Sequence, residues 1–352
     1  MTCSVVVTGI GAVTPLGHTL RETLDALDRG ESALREATLF DATGFRENRA
    51  AEVTGFDARA HFRVTKALKV TERKTRFAVA AASMALHDAG FPEGEDERTG
   101  LGVVLGVSGS DIQAPDFARA FARHPEGGFA EKVLGGMNPL WLLISLPNMV
   151  SAHAAIQLQA RGPNSTVMTD FLAGLQAIGE AAAWIRAGEA KAVLAGGADS
   201  ALFPYAYGGF QQAGLFDDGR FVPGEGAAVL LLEDADEAAR RGARAYGEIV
   251  ALAGSPREAL ASAGWRGAAR VVTSTVFAEP YLAWEDGALA AAGLSRTDEH
   301  TSRLGHALAA AGPIDAALLL GRAEGETAIL AHATGAGGLS ASLAMRAFGR
   351  TC

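Results

Sequence analysis

The segment Arg161–Glu180, RGPNSTVMTDFLAGLQAIGE, is the part of the chain whose residue types and spacing come closest to chemistry. It reads as a turn, a strand over Ser165–Met168, a sharp corner, and a helix starting near Leu172. Such a corner presents one side chain at a helix N-terminus, where unpaired backbone N–H groups and the helix dipole favour a developing anion. A cysteine there would have its pKa lowered, and an oxyanion would be stabilised. Here the corner holds Asp170 and Phe171. A phenylalanine fills space but has no atom that can act as a nucleophile.

The other chemically suggestive residues need the same weighing. Gly9, Gly11 and Gly17 follow the first apolar run, but their spacing misses the dinucleotide fingerprint and Pro15 interrupts it. Gly335, Gly337 and Gly338 follow another run with no helix start and acidic ribose partner behind them. Close strand and turn packing accounts for these glycines without a nucleotide. Cys3 and Cys352 are the only cysteines and have no metal-ligand neighbours. We expect no metal and no cofactor.

Short apolar runs alternate with Ala-rich helical stretches. Ser4–Thr8, Gly102–Leu105, Ala192–Ala195 and Ala227–Leu232 read as buried strands, and Arg73–Ala89, Gly174–Ala187 and Asp236–Gly242 as helices. After about Arg244 the pattern restarts: strands at Tyr246–Ala253, Arg270–Thr275, Thr327–Ala333 and Leu339–Ala347, helices at Pro256–Ala263, Tyr281–Ala292, Leu304–Ala310 and Ile314–Leu320. The alternation predicts α/β layers around mostly buried sheets. The restart suggests two β/α halves, 1–244 and 245–352.

The chain has 352 residues, 49% of them hydrophobic and 20% charged, enough to bury a sizeable core. A formal net charge of −9 argues against a nucleic-acid partner, which needs a concentrated basic face. The densest positive run, Arg63, Lys66, Lys69, Arg73, Lys74 and Arg76, reads as a solvated helix face. The first ten residues lack signal-peptide character, and no apolar run reaches spanning length, so no membrane partner and a reducing cytoplasm are expected.

Five stretches in order carry a resemblance: VVVTGIGAVTPLG (Val5–Gly17), TRFAVAAASMALHDAG (Thr75–Gly90), PLWLLISLPNMVSAHAAIQLQARGP (Pro139–Pro163), VPGEGAAVLLLED (Val222–Asp234) and SRLGHALAAAG (Ser302–Gly312). With the corner they resemble the β-ketoacyl-carrier-protein synthases, condensing enzymes of the thiolase fold. The resemblance runs over nearly the whole chain, which is shorter than typical members between Gly208 and Gly224 and in its second half. It implies a thiolase-like α/β fold of two similar β/α halves in α-β-α-β-α layers.

It also implies which parts of the machine are altered. Working members carry Thr-Ala-Cys where this chain has Thr169-Asp170-Phe171, so the cysteine position falls on Phe171. Their first histidine falls on Ser274, within Thr273–Ala278; their second is retained as His306; their lysine falls on Thr301; and the two phenylalanines of their glycine-rich gate fall on Thr334 and Ala336. Condensation needs a thiolate to accept the acyl group and donors to stabilise an enolate. Phe171 removes the first, Ser274 weakens the second, and Asp170 would repel an incoming malonyl carboxylate. The resemblance is nearest to the chain-length factor of type II polyketide synthases, a cysteine-less subunit that forms a heterodimer with an active ketosynthase and handles the chain tethered to an acyl carrier protein. On that pattern Trp141 and Leu142 project toward the partner's acyl channel. Two alternatives stay open: a cysteine-independent decarboxylase or acyltransferase using His306, perhaps with Asp170, and a scaffolding module. His306 itself also reads as a structural residue bonding backbone groups.

Overall fold

The computed structural model describes residues 3–94, 98–109, 114–123, 126–265, 270–274 and 278–349, with 114–116 and 336 described by backbone alone. Eleven strands are present among them: β1 Val5–Val13, β2 Leu34–Glu36, β3 Arg49–Ala51, β4 Leu101–Gly106, β5 Asn164–Val167, β6 Ala192–Ser200, β7 Glu225–Asp234, β8 Gly247–Ala253, β9 Arg270–Thr273, β10 Thr327–Thr334 and β11 Ser340–Ala347. Nine of them hydrogen-bond in the order β5-β4-β6-β7-β1-β8-β11-β10-β9, and β2 and β3 form a separate hairpin. Every residue of β1, β4 and β6 is buried, as expected of strands covered on both faces.

The nine strands divide into two runs of matching sense. β4 is parallel to β6, then β7 and β1 follow antiparallel; β9 is parallel to β10, then β11 and β8 follow antiparallel. Only Val5–Val7 and Gly247–Ile249 join the runs, by pairing β1 with β8. The helices Ala173–Arg186 and Ala311–Arg322 lie between the runs and touch strands of both, while Arg73–Asp88 and Met149–Leu158 cover one outer face and Pro256–Ala263 and Tyr281–Ala291 the other. The result is an α-β-α-β-α stack.

Small residues make this closeness possible. A Cβ on Gly11 would stand 1.9 Å from the carbonyl oxygen of Ala81, so the Ala-rich helix Arg73–Asp88 rests directly on β1. Gly9 and Gly11 lie inside β1, which runs on to Val13 instead of ending at Thr8; they are packing glycines, and helix backbone fills the space that a nucleotide would need. Among the described residues the core divides into a cluster around the central helices (Leu175, Ile178, Leu318, Leu319), one beneath Arg73–Asp88 (Phe77, Leu101, Leu194), an aromatic one holding Phe171, Tyr207, Phe216 and Phe221, and a smaller one under the helix Pro256–Ala263 (Ala259, Val271, Leu330).

Most of the helices and strands expected from the sequence are present within a residue or two, Pro256–Ala263 to the residue. Two expectations are corrected. Leu304–Ala310 is not one helix: a short helix Thr301–Leu304 ends at Gly305, whose φ of +66° leaves the helical region, and a 3-10 turn Leu308–Ala310 follows. The basic run is not one solvated face. Lys74 is buried with its Nζ donating to the Gly109 carbonyl at 2.7 Å, Arg73 pairs with Glu225, and Arg63, Lys66 and Lys69 are exposed. Met1 and Cys352 lie outside the described residues, as does Thr275 of the expected strand. Among the described residues no helix is long and apolar enough to cross a membrane.

Candidate functional site

The corner is built by close approach between β5 and the central helix. β5 pairs parallel with β4, setting Val167 beside Gly106, and a Cβ on Gly106 would lie 2.3 Å from the backbone of Ala173. A Cβ on Gly174 would lie 2.2 Å from the Ala309 carbonyl oxygen. With both glycines in place the helix N-terminus is driven against the loop carrying His306. The chain turns into it through Asp170, which takes a left-handed φ of 56°, then the 3-10 turn Asp170–Leu172 and the helix Ala173–Arg186. Aspartate is among the few side chains that enter this region readily, and such backbone outliers gather at functional sites.

The turn sends Phe171 inward, where it is 5% exposed. Its ring meets the His306 ring edge-on, centroids 5.2 Å apart at 76°, and the Tyr281 ring at 6.1 Å. His306 is fully buried, and both its nitrogens are engaged. The Leu308 N–H donates to Nδ1 at 3.1 Å, which assigns the proton to Nε2, and Nε2 donates to the Ser274 carbonyl at 2.8 Å. Burial holds the imidazole neutral, its pKa pulled down to about 4. A neutral histidine with both nitrogens bonded inside the protein has no donor left for a substrate oxyanion in this arrangement.

Phe171, His306 and Ser274 therefore come together. Ser274 is buried, and its N–H donates to the His332 carbonyl at 3.0 Å. Residues 275–277 of the histidine-bearing stretch lie outside the described residues. Thr334 is buried at the end of β10, its Oγ1 3.2 Å from His332 Nε2, while His332 Nδ1 lies 2.9 Å from Ser342 Oγ. Burial lowers the His332 pKa to about 4 as well. Ala336 opens the 3-10 turn Ala336–Gly338, in which Gly337 and Gly338 take φ of 70° and 76°. Gly335 just before it sits against Leu172 of the corner. Thr301 stands apart: it lines a small cleft with Glu225, Gly305 and Asp315. Its neighbour His300 supplies the polar contact there, with Nδ1 2.7 Å from Asp315 Oδ1 in a buried pair. Burial pushes Asp315 up to about 6 despite His300.

A cavity of about 240 Å³ remains beside the corner, lined among others by Lys74, Asp170, Phe171, Asp199, Phe203 and Leu308. Asp199 is occupied in holding the loop, its Oδ2 accepting from the Ser108 N–H at 2.8 Å. Burial, and then the charge of Asp199, raise the Asp170 carboxyl to about 6. The cavity thus offers an acid–base group but no thiol. Glu225, the first residue of β7, accepts from Val53 N–H, the Arg73 guanidinium and Ser200 Oγ at 2.6–2.7 Å, so it holds neighbouring segments together. Sequence reading gave no site role to Asp199 on β6, His332 on β10, Lys74 on the helix Arg73–Asp88 or Tyr281 on the helix Tyr281–Ala291, because single residues of this kind carry no periodic signal.

Trp141 and Leu142 lie outside this cavity, on the helix Trp141–Ser145. Trp141 is half-buried, its ring edge-on to Phe117 of the same chain at 5.9 Å, and Leu142 is 46% exposed. Leu134, Leu140, Leu143, Leu146, Ile156 and Met168 are also exposed. Met168 directly follows β5, the outermost strand of the sheet. Apolar side chains exposed beside a sheet edge are one kind of surface through which proteins associate.

Comparison with known proteins gives the family and the fold. Residues 2–238 match the family "Beta-ketoacyl synthase, N-terminal domain". The 3-oxoacyl-[acyl-carrier-protein] synthase 2 of Synechocystis sp. is 34% identical over 71% of this chain, and that of Vibrio harveyi 33% identical over 70%. The matches span only 62% and 61% of those relatives' own lengths. Among solved structures, the ishigamide ketosynthase/chain length factor superposes with a TM-score of 0.83 at 24% identity, covering 99% of this chain and 100% of that one. A β-ketoacyl synthase from Burkholderia phymatum superposes with a TM-score of 0.82, also at 24% identity and with the same coverage. These likenesses establish a thiolase-like ketosynthase fold.

Proposed function

The chain belongs to the β-ketoacyl synthase family, and within it we propose a subunit that performs no condensation itself, pairs with an active ketosynthase and shapes that partner's acyl tunnel during polyketide synthesis. The observation that carries this reading is the Phe171–His306 contact. The position that needs a sulfur holds a ring, and the histidine beneath that ring has both nitrogens committed to the protein's own backbone. Restoring reactivity would require changes at several residues at once. The structural likeness to a ketosynthase/chain length factor supports the heterodimer, and the uncovered apolar face supports a partner surface that includes Trp141 and Leu142. The acyl carrier protein is reached through the complex.

The test is co-expression with a ketosynthase that carries an intact Cys-His-His set. A 1:1 heterodimer whose product length changes in Trp141→Ala supports the reading. A chain that stays solitary in its presence overturns it, and a heterodimer with unchanged product length reduces the chain to a scaffold.

One observation favours a second reading, a cysteine-independent decarboxylase. Asp170 presents a carboxyl poised at about 6 to the cavity, within the range useful for acid–base work. Carbon dioxide released from malonyl-carrier protein by the purified chain alone, and lost in Asp170→Asn, would establish it.

A further inference from the structure

A second cleft, of about 480 Å³, opens on the outer face of the molecule between the C-terminal half of helix Arg73–Asp88, the 3-10 turn Ala58–His61 and the end of helix Met149–Leu158. It shares no lining residue with the corner cavity. Its nearest residue on the first helix, Ser83, is nine positions beyond Lys74, about 13 Å along the axis. Its described lining is rich in hydrogen-bond donors: His61, Arg63, His87, Arg98, Gln157 and Gln159, with Glu93 the one carboxylate among the described lining residues. In a chain of net charge −9 such a concentration of cationic and donor groups is local and specific.

Among the described residues, two of these side chains carry a donor with no hydrogen-bond partner. Gln157 is 3% exposed, and its Oε1 accepts the Val64 N–H at 2.8 Å, but its Nε2 is buried without a partner. Arg98 lies over the Phe91 ring at 5.8 Å, and its Nη1 is likewise buried without a partner. Buried donors are nearly always satisfied, and leaving one without an acceptor is unfavourable. An acceptor-only ligand with several oxygens is the chemical complement of such donors, and the Arg98 fork suits a planar or tetrahedral oxyanion.

We propose that this cleft binds a small oxyanionic ligand, a phosphoryl or carboxylate group, held by Arg98, Gln157 and Arg63. The test is calorimetric titration of the purified chain with inorganic phosphate and, separately, with acetate, at constant ionic strength set by sodium chloride. Saturable binding in either arm is expected, and the tighter arm identifies the group. Gln157→Glu keeps the acceptor for Val64 and replaces the free donor by a repelling oxygen, so affinity falls at least tenfold. Should that variant fail to fold, the exposed Arg63→Gln decides, with a loss of at least threefold. Absence of saturable binding in both arms, or an affinity unchanged in the deciding variant, overturns the proposal.

Discussion

Phe171 is held between the His306 ring at 5.2 Å and the Tyr281 ring at 6.1 Å, so a smaller side chain there leaves a void that the bonded loop around His306 cannot collapse into. Phe171→Ala should lower the unfolding free energy by about 3–5 kcal/mol in urea melts. Phe171→Cys restores the missing sulfur but not the donors, and no condensation should be detected from acyl- and malonyl-carrier protein; turnover would show that His306 is free after all. His306 also makes stability depend on pH. Its folded pKa, about 4, lies below the ordinary value of 6.5, so its contribution is complete above 6.5 and is lost as pH falls through 4. Asp170 and Asp315, raised to about 6, act in the opposite sense, but they are common to wild type and variant. The stability difference between wild type and His306→Gln should therefore shrink by about 3 kcal/mol between pH 7 and 4, read from urea melts at each pH. A flat difference would mean that the imidazole is not held neutral.

At the scale of elements, the proposed partner surface is the set of exposed apolar residues on and beside the helix Trp141–Ser145, with Met168 at the end of β5. Leu142 is half exposed, so Leu142→Glu should leave the isolated chain's melting temperature within about 2 °C, since surface substitutions shift stability little. The same change should abolish the heterodimer in size-exclusion chromatography, because it buries an unpaired charge there. A heterodimer that survives it would place the partner on another face. Legibility also differs by element. The helix Arg73–Asp88 could be read because its alanines and its glycine-bearing strand partner form a local pattern. The stretch Leu304–Ala310 could not, because helix-favouring alanines and leucines are overruled by the positive φ at Gly305 and the backbone bonds of His306. Lys74 looked like one of a run of surface cations, since its partners Gly109 and Glu72 fix its burial only in three dimensions.

Over the whole molecule, the repeated strand senses on either side of the β1–β8 seam make one scaffold with a central pair of helices, and the corner sits where one of them begins. Layered α/β architecture could be read from alternation, and the altered corner from motif order. The second cleft could not, since its donors come from three separate segments of chain. The central claim is that the thiol chemistry belongs to another subunit. The direct measurement is condensation by the chain, by an active ketosynthase partner, and by their complex with the partner's nucleophilic cysteine intact or changed to alanine. We predict product only from the complex with the intact cysteine, none from this chain alone, and none once that cysteine is lost. Ketide product from this chain alone, or from the complex with the partner's cysteine replaced, would contradict the account.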